Sequence, residues 1–178
     1  MPIPTDEAVA LFTHLGGGLL FGAGVFTAAV VAECARLLPV GTSPVSLAVL
    51  LRVGRVGAIA SMAGAAVLLA GGLALAGKTN VWAEAWLQAS IILFIIALVL
   101  GAVGGGRAKR ARILAVRLAG DTPASSAALL QPTGTAAEEL ARLQELLRDP
   151  VSRVLNYTSV AIVIVVLALM VWRPGSNE

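Results

Sequence analysis

One cysteine, one histidine and one tyrosine are a thin supply of reactive side chains for 178 residues. The lone Cys34 excludes an internal disulfide and any thiolate zinc site built within a single chain. No Gly-rich phosphate loop closed by Lys-Ser/Thr, no Cys-x-x-Cys and no His-Glu-x-x-His occurs, which removes P-loop, dithiol and zincin chemistry. An intramembrane Ser–His or Asp–Asp catalytic pair is missing too, and the length is too short for a pseudo-symmetric transporter of six spans. Charged residues amount to 13%, roughly half the share usual in a soluble domain. Aromatics, at 4%, are too few for a core of interlocking rings.

What fills the chain instead is hydrocarbon and glycine. The apolar fraction is 58%, with 19 glycines, so a membrane protein whose helices pack through small residues is the default reading. The pI near 9.8 does not point to nucleic acid, because the cations cluster beside apolar runs. The segment from Trp82 to Arg117 shows the plan. Trp82, Glu84 and Trp86 precede an uncharged block from Leu87 to Gly106, and Arg107, Lys109, Arg110, Arg112 and Arg117 follow. A helical block of about 20 apolar residues crosses the ~30 Å hydrocarbon core. Tryptophan prefers the membrane–water interface, and Arg/Lys-rich short loops stay in the cytoplasm. This span therefore enters from outside and leaves inside.

The remaining spans follow. The expected fold is all-α, one integral membrane domain over 1–178, with spans at about 8–32, 53–76, 83–106 and 154–172 and a cytoplasmic loop at 107–153. The short start, with Pro2, Pro4, Asp6 and Glu7, lacks the positive charge of a secretory signal, so the first span is expected to be retained. Thr5 is its expected N-cap. Gly77 to Asn80 reads as a short outer turn, and Arg107 to Ala119 as a cytoplasmic extension of the third helix. The segment from Asp121 to Gly134 reads as a mobile loop. Thr135 and Glu138 make a capping-box pattern before a short cytoplasmic helix, and Asp149-Pro150 starts the fourth span. Trp172 and Arg173 close it at the outer interface. Eleven cations fall inside (Arg36, Arg52, Arg55, Arg107, Lys109, Arg110, Arg112, Arg117, Arg142, Arg148 and Arg153) against Lys78 and Arg173 outside. That bias places both termini outside the cytoplasm.

Glycine density predicts packing. Gly18/Gly22 and Gly101/Gly105 are GxxxG pairs, which let a second backbone approach closely. Glycines crowd the first two spans, thin out in the third and are absent from the fourth. The first and second helices are thus expected at the centre, the third beside them and the fourth at the periphery. Gly18→Leu and Gly64→Leu are expected to disrupt that packing.

His14, ~9 Å below the outer boundary by helical rise, is the residue with chemical potential. It is open to two roles: a haem or soft-metal ligand or proton relay, and a plain interhelical hydrogen bond. Glu84, on the same outer side, is either a helix-start acid or a group that orients His14. Glu33 has Arg36 at i+3 and Arg55 within plausible reach. Asn156, Tyr157, Thr158 and Ser159 read as hydrogen-bonding glue between helices. The cations after Gly106 suit anionic lipid headgroups, at about 1 kcal/mol each, or serve topology alone.

Four stretches carry a resemblance. They are His14-Leu-Gly-Gly-Gly-Leu-Leu-Phe21-Gly-Ala-Gly24, Gly71 to Ala76, Trp86 to Phe94, and Leu169-Met-Val-Trp-Arg-Pro174. The chain resembles, over nearly its whole length, the domain-of-unknown-function 2269 family of bacterial integral membrane proteins with four spans. That family often has Trp where this chain has Phe21. The His–Gly first helix is more distantly similar to copper-resistance D-type proteins and to protoporphyrinogen oxidases of four-helix type. The latter pair their histidine with a lysine that has no equivalent here. Haem b at His14 is what that distant likeness implies, whereas the residues themselves call for no cofactor. The reading that results is a non-enzymatic accessory component of a larger membrane assembly, joined to other subunits or to copies of itself. Its rival is a haem- or metal-binding redox or transport protein using His14.

Overall fold

A computed structural model describes residues 5–39, 42–120 and 135–172. The expected loop at 121–134 and the outer position of Arg173 lie outside them. Among the described residues five helices follow one another: α1 Asp6–Leu37, α2 Pro44–Thr79, α3 Ala85–Leu118, α4 Ala136–Arg148 and α5 Pro150–Trp172. No strand occurs among the described residues. Four of the helices are long and apolar enough to cross a membrane, and α4 is a short amphipathic piece. At 32, 36 and 34 residues, α1 to α3 are each about 50 Å long, well beyond the ~30 Å of a bilayer core.

The helix boundaries have local causes. The Thr5 hydroxyl accepts from the Ala8 amide at 3.4 Å, as expected of the N-cap, with Asp6 and Glu7 in the first turn. Pro44 stands at the start of α2, where its missing N–H costs nothing. The far end of α2 differs from the expected outer turn at Gly77 to Asn80. Gly77, Lys78 and Thr79 remain helical, and the Thr79 hydroxyl donates to the Leu75 carbonyl at 2.9 Å. The break comes at Asn80, in the left-handed conformation with φ 53°, which asparagine tolerates. Lys78 reaches Asp6 at 3.4 Å and ties this end of α2 to the start of α1. The capping box of α4 is complete: Glu138 accepts from the Thr135 amide at 2.7 Å, and Thr135 from the Glu138 amide at 3.4 Å.

The α1–α2 pair is the centre of the fold, but not through the expected GxxxG notch. Facing partners are His14 with Gly71, Gly17 with Leu68, Phe21 with Gly64, Gly24 with Ser61 and Val31 with Gly54. The two residue numbers add to 85 at every one of these pairs, so the antiparallel register holds along the whole seam. On α1 the seam positions Ala10, His14, Gly17, Phe21, Gly24, Ala28, Val31 and Ala35 alternate steps of four and three. A repeat of 3.5 residues keeps a straight seam only if the two helices wind around each other with left-handed supercoil. Each glycine lies opposite a larger residue; from Gly71 through Gly17 and Gly64 to Gly24 the glycine alternates between helices, and then Gly57 and Gly54 of α2 face Ala28 and Val31 in turn. Gly18 and Gly22 lie off this seam: a Cβ on Gly18 would make an ordinary 3.5 Å contact with Leu68 Cδ1, and one on Gly22 nothing within 4 Å. Gly101 and Gly105 of α3 are equally open. A spacing of four marks a notch, and the face that turns toward a neighbour decides whether it is used.

The last of the four long helices is the least buried of them, as its expected place at the periphery implies. α5 packs mainly on α3, and more extensively than α3 packs on α2, with Val163 and Val166 buried. Aliphatic shape fills that interface as well as glycine fills the first, so glycine density did not forecast it. Two clusters hold the four long helices. Midway, Phe21, Ala65, Leu68, Phe94 and Val163 join them, with the Phe21 and Phe94 rings 5.3 Å apart and tilted at 60°. At the cation-rich end, Ala35, Leu47, Leu51, Ala111, Leu114 and Ala115 close around Leu143 of α4.

Asp149, at the junction of α4 and α5, caps α5 by accepting from the Val151 amide at 3.1 Å and the Ser152 amide at 3.3 Å. It also pairs with Arg107 of α3. Burial alone would raise its pKa. The Ser152 hydroxyl, those two amides and the Arg107 guanidinium outweigh burial and hold it below the ordinary 3.8. A depressed carboxylate stabilises the fold above its unfolded value and loses that contribution as pH falls through its folded value. Asp149→Asn, which keeps the cap, is expected to lower the thermal midpoint at neutral pH. The gap to the parent should shrink as pH is taken below about 4, as read by circular dichroism melts in one detergent.

Candidate functional site

His14 sits a little over two turns into α1, on the seam with α2. Its Nδ1 lies 3.0 Å from the Leu68 carbonyl oxygen of α2. A carbonyl oxygen only accepts, so Nδ1 carries the proton and donates. Gly71 and Gly72 make room for this. A Cβ on Gly72 would come within 2.9 Å of Nδ1 and 3.0 Å of Cε1. That edge of the ring is therefore pressed against α2, and the edge bearing Nε2 is turned away from it. In the neutral imidazole Nε2 then holds a lone pair. Gly72→Ala is expected to push the ring off Leu68 and cost about 1 kcal/mol of stability, the net worth of one hydrogen bond. A thermal melt beside His14→Ala checks it: the two losses should not add, since both remove the same bond.

Glu84 is the N-cap residue of α3, one position outside the helix rather than in its first turn, and its carboxylate makes no capping bond. The partner that orients His14 is the Leu68 carbonyl. Trp82 and Trp86 stand at this same end, where the Gln88 amide donates to the Trp82 carbonyl at 3.2 Å. Trp172, at the end of α5, is 80% exposed.

His14 also borders a cavity of about 380 Å³ lined by α1, α3 and α5, with Leu68 of α2 on its wall. Phe21, Phe26, Phe94, Val163 and Met170 make the rest of the wall hydrocarbon, so the imidazole is its polar group. Along α1 its wall runs from His14 to Phe26, about 18 Å of helix rise.

At the opposite end the charged groups gather. Glu33 pairs with Arg36, as its spacing implied, and Arg153 and Tyr157 of α5 lie beside it in place of Arg55. The Arg153 guanidinium stands 5.6 Å from the Tyr157 ring centre. Asn156 makes a long 3.5 Å contact to the Ala29 carbonyl of α1, the interhelical role expected of it. Arg117 meets Glu139 of α4 at 3.4 Å. Arg55 of α2 and Arg112 of α3 lie close enough to act on each other as like charges. Lys109 and Arg110 are exposed on the same stretch of α3. Among the described residues no group of three metal-type side chains converges.

Leu68, Gly71 and Gly72 were missed as parts of the His14 site. The signal for them is the four-three seam: extending the register from Phe21–Gly64 places His14 beside Gly71. No family model, curated protein or solved structure compared with this chain matches it.

Proposed function

We propose that the chain is a four-span protein of the bacterial inner membrane that serves as a non-catalytic component of a larger membrane assembly. One observation carries this reading. The seam glycines Gly17, Gly24, Gly57, Gly64 and Gly71 are all filled from within the chain, whereas Gly101, Gly104 and Gly105 of α3 meet nothing within 4 Å. In lipid, where hydrophobicity does not drive helices together, an open backbone notch is where a further helix gains contact. The resemblance to the 2269 family, with its four spans, belongs to the same reading. So does the topology: the cations of α1, α2, α3 and α4 surround the Leu143 cluster at one end, while Lys78 stands at the other. The cytoplasmic extension of α3 and the cytoplasmic position of α4 follow from that orientation. Lys109, Arg110 and Arg112 then lie where anionic headgroups concentrate.

A photocrosslinker placed at Val103, on the open face of α3, tests the assembly in native membranes. Adducts with a protein helix, this chain's own or another's, are expected, and Gly101→Leu should remove them without altering the melt of the purified protein. Adducts confined to lipid would overturn the reading. The second reading, a haem or metal at His14, has the free Nε2 lone pair in its favour. A Soret band in protein purified in mild detergent, lost in His14→Ala, would establish it.

A further inference from the structure

Gly18 and Gly22 form the strongest small-residue motif of α1, yet they touch no helix backbone. A Cβ on Gly22 would meet nothing within 4 Å. What both border is the slot that begins at His14. Across it stand Phe94 and Ala97 of α3 and Val163, Leu167 and Met170 of α5. α1 and α5 make little contact with each other, so the slot opens sideways between them to whatever surrounds the bundle.

We infer that this slot binds the hydrocarbon tail of a long-chain alcohol whose hydroxyl head donates a hydrogen bond to His14 Nε2. The walls select the tail: apart from His14, the side chains along about 18 Å of α1 and across from it on α3 and α5 are hydrocarbon. The walls supply hydrocarbon contact for that length, and the two glycines keep the near wall low where side chains would close it. The tautomer selects the head. Nδ1 is committed to the Leu68 carbonyl, so the free nitrogen accepts and the ligand must donate. An ester, ether or ketone head has no proton to offer and would leave both partners unsatisfied inside hydrocarbon, which is the kind of mismatch that polar sites reject most strongly. The site is independent of the assembly surface, which lies on Gly101 and Gly105 of α3.

The test uses full-length protein in mild detergent with two photoreactive probes, a diazirine-bearing hexadecanol and its methyl ether. The parent should be labelled at least five-fold more by the alcohol, with adducts mapped to Phe26, Ala97 or Leu167. Gly22→Leu, which fills the slot, should lose labelling by both probes while melting like the parent. Leu167→Trp, filling it from the opposite wall, should do the same and covers the case in which the first variant misfolds. His14→Ala should take up alcohol and ether equally. Labelling of the parent no stronger than of both filled variants, or adducts spread over outward-facing Phe12 and Met62, would overturn the site. Equal labelling of the parent by alcohol and ether would overturn the role given to His14.

Discussion

Gly64→Leu is expected to abolish the folded protein, and Gly64→Ala alone to lower its melting point sharply. A Cβ at Gly64 would stand 2.7 Å from the Phe21 Cα and closer still to the Phe21 amide nitrogen. These are backbone atoms, so no rotamer change relieves the clash and the two helices must separate. Overpacking of a core typically costs 1–3 kcal/mol, and about 3 or more is expected where the obstacle is backbone. Separation here also opens the seam on both sides, because the register is continuous from Gly71 to Gly54. Gly18→Leu and Gly101→Leu, at glycines with space beside them, should melt within about 0.5 kcal/mol of the parent, as open surface substitutions do. The readout is thermal melting in one detergent, scored by loss of the monodisperse peak. A Gly64→Leu protein that melts like the parent would remove the seam from the account.

Leu143→Ala is expected to have the second largest effect, and a different one. Leu143 is fully buried among Ala35, Leu47, Leu51, Ala111, Leu114 and Ala115, so it is where α4 is attached to three other helices. Truncating a buried leucine to alanine costs about 2–5 kcal/mol. The loss should fall on α4 first, whose 13 residues are too few to stay helical in water without a packed face. Hydrogen exchange over 136–148 should rise by at least ten-fold while the exchange of Phe94 to Leu98, in the midway cluster, stays unchanged. Uniform change across both regions would mean that α4 is not a separate attachment.

The fold was legible where one kind of physics dominates. Four long apolar runs separated by caps and breakers need no tertiary information, and the Thr5 cap, the Thr135–Glu138 box and the Pro150 start fell where the side chains said. The tight α1–α2 pair was legible as well, from glycine density. Which glycines make it was not, because a GxxxG search measures spacing of four and the seam alternates four with three. The interface of α5 with α3 was hidden for a related reason: Val163 and Val166 sit in a run that is aliphatic on every face, so no face stands out. At the site, His14 was visible as the lone histidine in an apolar helix. Its partner was not, since a backbone carbonyl exposed by Gly72 leaves no side-chain signature. Glu84 looked like a candidate partner because both residues lie near one end, and depth says nothing about which helix faces turn together.

The orientation of the bundle underlies the functional reading, and one labelling experiment reads it directly. With Cys34 first replaced by serine, single cysteines are placed at Thr79, just before the α2–α3 turn, and at Glu145, on the exposed face of α4. Intact cells are treated with a membrane-impermeant thiol reagent, with permeabilised cells alongside. Thr79→Cys is expected to react in intact cells, and Glu145→Cys only after permeabilisation. Reaction of Glu145→Cys but not Thr79→Cys in intact cells would put the eleven cations outside and contradict the account.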